Sequence, residues 1–280
     1  MTHRRDFLRA AGFGAAALSA TGLAIASVPS TTMGRSEHPC KLGVASYTLR
    51  EFSQEQALDM TLRCGLNRIT FKSMHLPLDS GNESIKSAVA LCNKKGIRLY
   101  GGGVIRISTP ENANQAFEYA KKAEMDMIIA DPGYDMLDYL DEMVQKYDIK
   151  VAIHNHGPGD HQLYPSANSA YEKIKNLDKR MGLCVDIGHT TRIGRDPGKD
   201  VTDCFDRVFD IHMKDVTAAT PEGETCIIGR GIIDFQSFLK TVIDLNYTGT
   251  LALEYEAEKD DPLPGMMESI GYVKGILATM

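Results

Sequence analysis

No two of the six cysteines, at positions 40, 64, 92, 184, 204 and 226, stand close enough to form a CxxC pair. A zinc ribbon and a dithiol redox motif are therefore excluded. Cys64, Cys92 and Cys204 fall in helical patterns and Cys184 in a strand, so they read as small buried apolar residues. A Gly-rich phosphate cradle is also missing. Gly101-Gly102-Gly103 is a bare triplet at a strand end, which suits close backbone approach better than nucleotide binding. Beyond residue 26 no apolar run is long enough to cross a bilayer, so no stable membrane span is expected after processing. Positive charge is scarce. Past residue 26 there are 28 basic and 36 acidic residues, a net charge of −8. An acidic surface repels phosphate backbones, which argues against nucleic-acid partners.

The N-terminus is set apart. Residues 3–9 read HRRDFLR, an Ala- and Gly-rich apolar run follows, and Ala24-Ile25-Ala26 forms a small-x-small cleavage pattern. Residues 1–26 resemble a twin-arginine export signal and predict a periplasmic destination. A basic helix start or an N-terminal anchor is the other reading. Because that route resembles one for folded proteins, a metal could be loaded before export. Residues 27–40 lack periodicity and read as a linker.

From residue 41 onward, short apolar strands alternate with helical patterns. Strands are expected at 42–48, 68–72, 97–102, 126–131, 149–156, 181–187, 208–214 and 249–256. Helices are expected near 54–65, 82–96, 110–124, 135–147, 167–177, 198–206, 234–246 and 264–279. Ser53, Ser80, Thr109 and Ser166 mark helix starts, and Gly65 and Gly96 follow helix ends. An α/β chain with this eight-fold alternation predicts a single-domain (β/α)₈ TIM barrel over 41–280, a fold that takes about 250 residues.

Alternate strand residues face the same way. In the fifth strand Ala152, His154 and His156 share a face against Val151, Ile153 and Asn155. In the sixth, Cys184 and Asp186 oppose Leu183 and Val185. In the seventh, Asp210, His212 and Lys214 oppose Phe209, Ile211 and Met213. In the eighth, Ala252, Glu254 and Glu256 oppose Leu251, Leu253 and Tyr255. Four successive strands thus carry an apolar outer face and ionisable residues at the inner C-terminal end, where barrel active sites are built. Burying mixed charges at one level makes sense if they share a cation. His154, Asp186, His212 and Glu254 are therefore the expected ligands of one divalent metal ion. Two imidazoles and two carboxylates suit Mn, Zn, Co or Fe better than Mg or Ca.

The segments VAIHNHGP, CVDIGHTTRIGRDP, FDIHMKD, IGRGIIDF and LALEYE together resemble the sugar phosphate isomerase/epimerase family, with its xylose isomerase-like barrel. The resemblance covers about residues 41–280. It implies a divalent metal at positions 154, 186, 212 and 254 and substrate contacts near His156, His189 and Lys214. The sequence departs from the family at His154, where sugar epimerases usually carry Glu in a segment like LALENH. There, two facing glutamates exchange a proton across the substrate; here only Glu254 remains.

Other candidates are graded by position. Glu254, His156 and Lys214 are the expected catalytic groups. For Lys214 the alternative is an ion pair to Asp186 or Glu256. His189 either binds a substrate hydroxyl or supports a ligand. Lys72, His75 and Arg230 are candidate substrate contacts, with a plain loop role as the alternative. Arg192 and Arg195 lie at the same barrel end, and His161 reads as a loop residue. The expected function is metal-dependent removal of a proton next to a carbonyl on a sugar or keto-sugar, ending as isomerisation or epimerisation. Elimination or hydration of a keto-glycoside on the same site, and an exported sugar-binding protein without catalysis, are the alternatives. A DNA-repair nuclease on this barrel is disfavoured by the acidic surface and by the Gly triplet where further metal-binding histidines would be needed. The expected partner is a small carbohydrate, and homo-oligomerisation is left open.

Overall fold

A computed structural model describes residues 40–158 and 163–280. The twin-arginine segment, most of the linker and His161 lie outside the described residues. Eight parallel strands close into a barrel. In chain order they are β1 (Lys41–Ala45), β2 (Arg68–Phe71), β3 (Arg98–Ile107), β4 (Met127–Pro132), β5 (Lys150–His154), β6 (Met181–Asp186), β7 (Val208–Met213) and β10 (Thr250–Leu253). β1 pairs with both β2 and β10, which completes the ring. The eight expected strands and the eight expected helices are all present. The helices are α1 (Gln54–Arg63), α2 (Asn82–Lys94), α3 (Pro110–Lys122), α4 (Leu137–Tyr147), α5 (Ala167–Ile174), α7 (Pro197–Asp203), α8 (Phe235–Asp244) and α9 (Leu263–Leu277).

Some elements were not expected, among them a 3-10 turn over Ser46–Leu49, where the first strand was expected to continue. A short helix α6 (Ile187–Arg192) follows β6 at once, and a two-stranded antiparallel ribbon pairs β8 (Asp215–Val216) with β9 (Thr225–Cys226). The capping chemistry holds at three of four places. Ser53 and Ser166 form reciprocal capping boxes with Gln56 and Ser169, and Thr109 accepts from the Asn112 amide. At α2 the helix begins at Asn82 as expected, but the N-cap is Gly81 and not Ser80, so it has no side-chain cap.

The faces sort largely as the alternation demands. Val151, Ile153, Leu183, Val185, Ile211, Met213, Leu251 and Leu253 pack outward into one large core under the helices. Tyr100, Met127, Ile129, Ala152 and Cys184 fill the barrel interior. Phe209 is a correction: it packs against the interior cluster, because the β6–β7 register slips between Leu183 and Cys184. A bulge of this kind turns one side chain to the other face. The Gly triplet also has its reason. A Cβ at Gly103, whose φ is +147°, would lie 2.1 Å from the Ile129 carbonyl oxygen. Among the described residues, no helix is long and apolar enough to cross a membrane.

One large residue escaped the alternation. Arg207 is fully buried and donates to the carbonyls of Lys175, Leu177, Asp178 and Met181. It ties the turn after α5 to the start of β6, and its charge is spread over four backbone acceptors.

Candidate metal centre

His154 and Asp186 are the last residues of β5 and β6, His212 is the fifth residue of β7, and Glu254 directly follows β10. Each of the four offers a donor atom, and those atoms lie within 4.8 Å of one another, all in buried side chains. His212 Nδ1 stands 3.1 Å from both His154 Nε2 and Glu254 Oε2. His154 Nε2 is 3.6 Å from Asp186 Oδ2. The structure thus gathers the four residues that strand parity had selected.

The local sequence explains how Asp186 is aimed. Its Oδ1 caps α6 by accepting the His189 amide at 2.7 Å. Its Oδ2 is then left facing the other three residues, buried and without a well-formed hydrogen bond. The DxGH segment is this cap. The glycine within it is required because a Cβ at Gly188 would come within 2.7–2.9 Å of the Lys214 side-chain carbons. Lys214 runs through that gap and is almost wholly buried. Its Nζ stands 3.0 Å from Asp186 Oδ2 and 3.1 Å from Glu254 Oε2, and it also bonds Glu256. Both ion pairs expected as the alternative for Lys214 are therefore formed, and Glu254 adds a third.

Electrostatics set the protonation. Burial pushes the Asp186 and Glu254 carboxyls up, but neighbouring positive charge wins, from His189 and Lys214 for Asp186 and from Lys214 and His212 for Glu254. Both are held below the usual carboxylate range. Burial lowers the Lys214 ammonium, but Asp186, Glu254 and Glu256 hold its pKa well above normal. Burial brings His154 down to about 3, so its imidazole is neutral near pH 7. His189 is likewise lowered by burial. Burial opposes protonation of His212 too, but Glu254 outweighs it and raises that residue. Deeper in the barrel, Asp210 is raised by burial to about 6.

Asp186, Glu254 and Glu256 all face the single Lys214 ammonium, so carboxylates outnumber the fixed positive charge at the centre. Ionised carboxylates and a neutral His154 are also the forms that bind a metal. The donor set fits one such ion. Cys184 lies close enough to His154 and His212 to form an alternative trio. Its thiol is pushed well above its ordinary value by burial, so it is a poorer donor than Asp186.

Above the centre opens a cavity of about 370 Å³, lined by Tyr47, Lys72, Val104, Asp131, His154, His156, His189, Arg192, Glu254 and Glu256. His156, His189 and Lys72 are thus where a substrate would meet them, with the Lys72 ammonium 4.7 Å over the Tyr47 ring. His75 and Arg230 are corrections. The His75 ring is buried against Ser46 Oγ (2.9 Å) and the Leu49 carbonyl (3.2 Å), and it does not line the cavity. The Arg230 guanidinium forks onto Glu268 of α9 and does not line the cavity. Arg192 reaches the cavity, whereas Arg195 is spent on buried Asp200. A larger hollow of about 520 Å³ lies between α7 and α8, but its cations Arg195 and Lys199 are already paired with Asp200 and Asp203.

Tyr47 and Asp131 were missed because neither stands in the four strands that carried the pattern. Asp215 was missed too. Its carboxylate accepts the amides of Gly229, Gly231 and Ile233, which fastens the GxGxxDF loop to the segment after Lys214. The Asp that closes HxKD is the signal that could have found it.

Fold and site together define a (β/α)₈ barrel protein with a polar, carboxylate- and imidazole-lined centre at the C-terminal mouth. The profile of the xylose isomerase-like TIM barrel family matches residues 48–276, and the chain belongs to that family. It is 28 % identical over 153 residues to the inosose dehydratase of Lactiplantibacillus plantarum, covering 49 % of this chain and 50 % of that protein. The chain thus matches about half the length of that curated relative. Among solved structures, a D-tagatose 3-epimerase-like protein is similar at 18 % identity, with 85 % of this chain and 97 % of that one covered and a TM-score of 0.69. The 3-keto-D-glucoside 4-epimerase of E. coli is similar at 13 % identity, with 84 % and 99 % covered and a TM-score of 0.69. At such identities the structural likeness establishes the fold.

Proposed function

We propose that this protein is a divalent-metal-dependent enzyme of the sugar isomerase/epimerase type, removing a proton next to a carbonyl on a sugar or keto-sugar. The observation that carries the reading is the convergence of His154, Asp186, His212 and Glu254, of which His154 and Glu254 line the 370 Å³ cavity. When bound there, the ion supplies Lewis-acid polarisation of adjacent carbonyl and hydroxyl oxygens, which favours loss of the neighbouring C–H proton. Mn, Zn, Co or Fe fits the nitrogen and oxygen donors better than Mg.

The chain's own groups do the rest. Glu254 is ionised and reaches the cavity, so it accepts the proton. The ring of His156 lies 4.7 Å from that of His154 and 6.0 Å from that of His189. His156 thus stands where it can pass a proton on, and His189 where it can hold a substrate hydroxyl. Lys214 keeps both carboxylates ionised from below.

A second reading is elimination or hydration of a keto-glycoside on the same centre. It is favoured by His154. A symmetric exchange of one proton between two carboxylates needs a second glutamate, and an imidazole stands in its place. The resemblance to an inosose dehydratase supports the same reading. The test is metal analysis of the purified protein, followed by incubation of keto-sugars and keto-glycosides in D₂O. We expect about one equivalent of divalent metal and deuterium at the carbon next to the carbonyl. Retention of the neighbouring substituent marks isomerisation or epimerisation, and its loss marks elimination. Absence of both metal and deuterium would overturn the proposal.

We further propose that residues 1–26 export the chain by the twin-arginine route, residues 27–40 forming the linker to the barrel domain. Replacing Arg4 and Arg5 together by lysine is expected to leave the protein, unprocessed, in the cytoplasmic fraction. Unchanged periplasmic recovery would overturn this reading.

A further inference from the structure

Beside the cavity of the metal centre lies a smaller hollow of about 200 Å³, and its chemistry is the opposite. The larger cavity is walled mostly by carboxylates, imidazoles and cations. The smaller one is walled mainly by Phe71, Leu76, Leu78, Val104, Ile105 and Tyr119. Val104 lines both, so the two spaces adjoin across one side chain.

The local sequence builds this pocket. β3 runs for ten residues, whereas the other barrel strands run for four to six. An extra residue between Gly102 and Ile105 makes a bulge against β4, a device common at barrel rims and beside active sites. Past the bulge, Val104 packs on the interior cluster and Ile105 on the outer core. Tyr119 of α3 lies directly on β3, because Gly102 has no Cβ; one there would stand 2.9 Å from the ring. The Tyr119 hydroxyl donates to the Leu76 carbonyl at 3.1 Å, which holds the loop after β2 against α3. Arg106 also lines the pocket, and it pairs with Asp131, which lines the metal cavity. The two spaces are thus joined twice, by Val104 and by that ion pair.

The walls say what fits. A free sugar carries hydroxyls around its ring, which apolar walls leave unsatisfied. An apolar cavity of about 150 Å³ holds one benzene molecule, so 200 Å³ gives room for one aromatic ring. Phe71 and Tyr119 offer ring contacts, and the half-exposed Arg106 guanidinium offers a cation to lie over a ring face. Leu78, Val104 and Ile105 are only partly buried, so an occupant would cover apolar surface that otherwise meets water.

We infer that this pocket takes the aromatic aglycone of a glycoside whose sugar ring occupies the metal cavity, with the glycosidic link passing over Val104. The inference rests on the sugar reading proposed above. It narrows the substrate class from sugars in general to aryl glycosides.

The test uses the full protein and two probes, phenyl and methyl β-D-glucoside, in titration calorimetry. The phenyl glucoside is expected to bind about 10- to 100-fold more tightly, the gain from burying one ring. Two variants block the pocket. Leu78→Trp fills it from a partly buried wall, and Ser73→Trp from an exposed position on the rim, where folding is least at risk. Either should bring the two affinities together. Equal affinities in the wild type, or a preference for phenyl that persists in both variants, would overturn the inference. If neither glucoside bound, the failure would lie with the sugar cavity, and phenol alone would decide the pocket. Titrated into protein labelled at its Val, Leu and Ile methyl groups, phenol should shift the signals of Leu76, Val104 and Ile105. Ser73→Trp should abolish those shifts. Their absence in the wild type would overturn the pocket as an aromatic site.

Discussion

Replacing Lys214 with methionine is expected to destabilise the protein without added metal by about 3–5 kcal/mol, the usual cost of stranding a buried charge by removing its partner. The stem would still fit the channel over Gly188, so packing changes little. What is lost is the ammonium that faces Asp186, Glu254 and Glu256 together. Two of these carboxylates are buried, and their ionised form is held by that cation. For a domain of this size each kcal/mol moves Tm by roughly 2–4 °C, so the drop is easily measured by scanning calorimetry. A divalent cation should then raise Tm more in the variant than in the wild type, because it replaces the missing charge. An unchanged Tm, with no greater response to the cation, would mean that Lys214 is not the counter-charge of the centre.

Glu254→Gln carries the second large effect. The amide keeps the size of the side chain but can neither hold a negative charge nor accept the substrate proton. The rate of deuterium exchange into substrate should fall by about 10²–10⁴-fold, the range for loss of a general base. Sugar binding should survive in part, since His156, His189 and Lys72 still line the cavity. That split separates the enzyme from a sugar-binding protein, which has no turnover to lose. If wild type and variant bound sugar equally and neither exchanged a proton, the catalytic reading would fail.

How much of this was legible in advance depends on how local the physics is. Strand parity is local: the Cβ direction reverses at each residue, so His154, Asp186, His212 and Glu254 could be placed on one inner face without coordinates. The parity rule failed at Phe209 because a register slip between β6 and β7 depends on both strands at once. Loop residues were poorly legible for the same reason. Lys72 and His75 lie three positions apart after β2, yet Lys72 lines the cavity while His75 turns inward to Ser46 and Leu49. Nothing within the segment between them separates the two outcomes, because the partners of His75 come from the 3-10 turn Ser46–Leu49 that follows β1.

The cysteine spacing, the bare Gly triplet and the shortage of positive charge excluded whole classes of protein before any fold was considered. The eight-fold alternation then determined the barrel and one level of ionisable residues at its mouth. Tertiary structure alone decided which charges meet. It put the Lys214 ammonium between Asp186 and Glu254, spent Arg195 and Arg230 on other partners, and set Tyr100 and Asp210 beneath His212. The physical reason is range. Patterning follows from backbone geometry a few residues long, whereas ion pairs across a barrel depend on strand stagger and loop paths set by the whole chain.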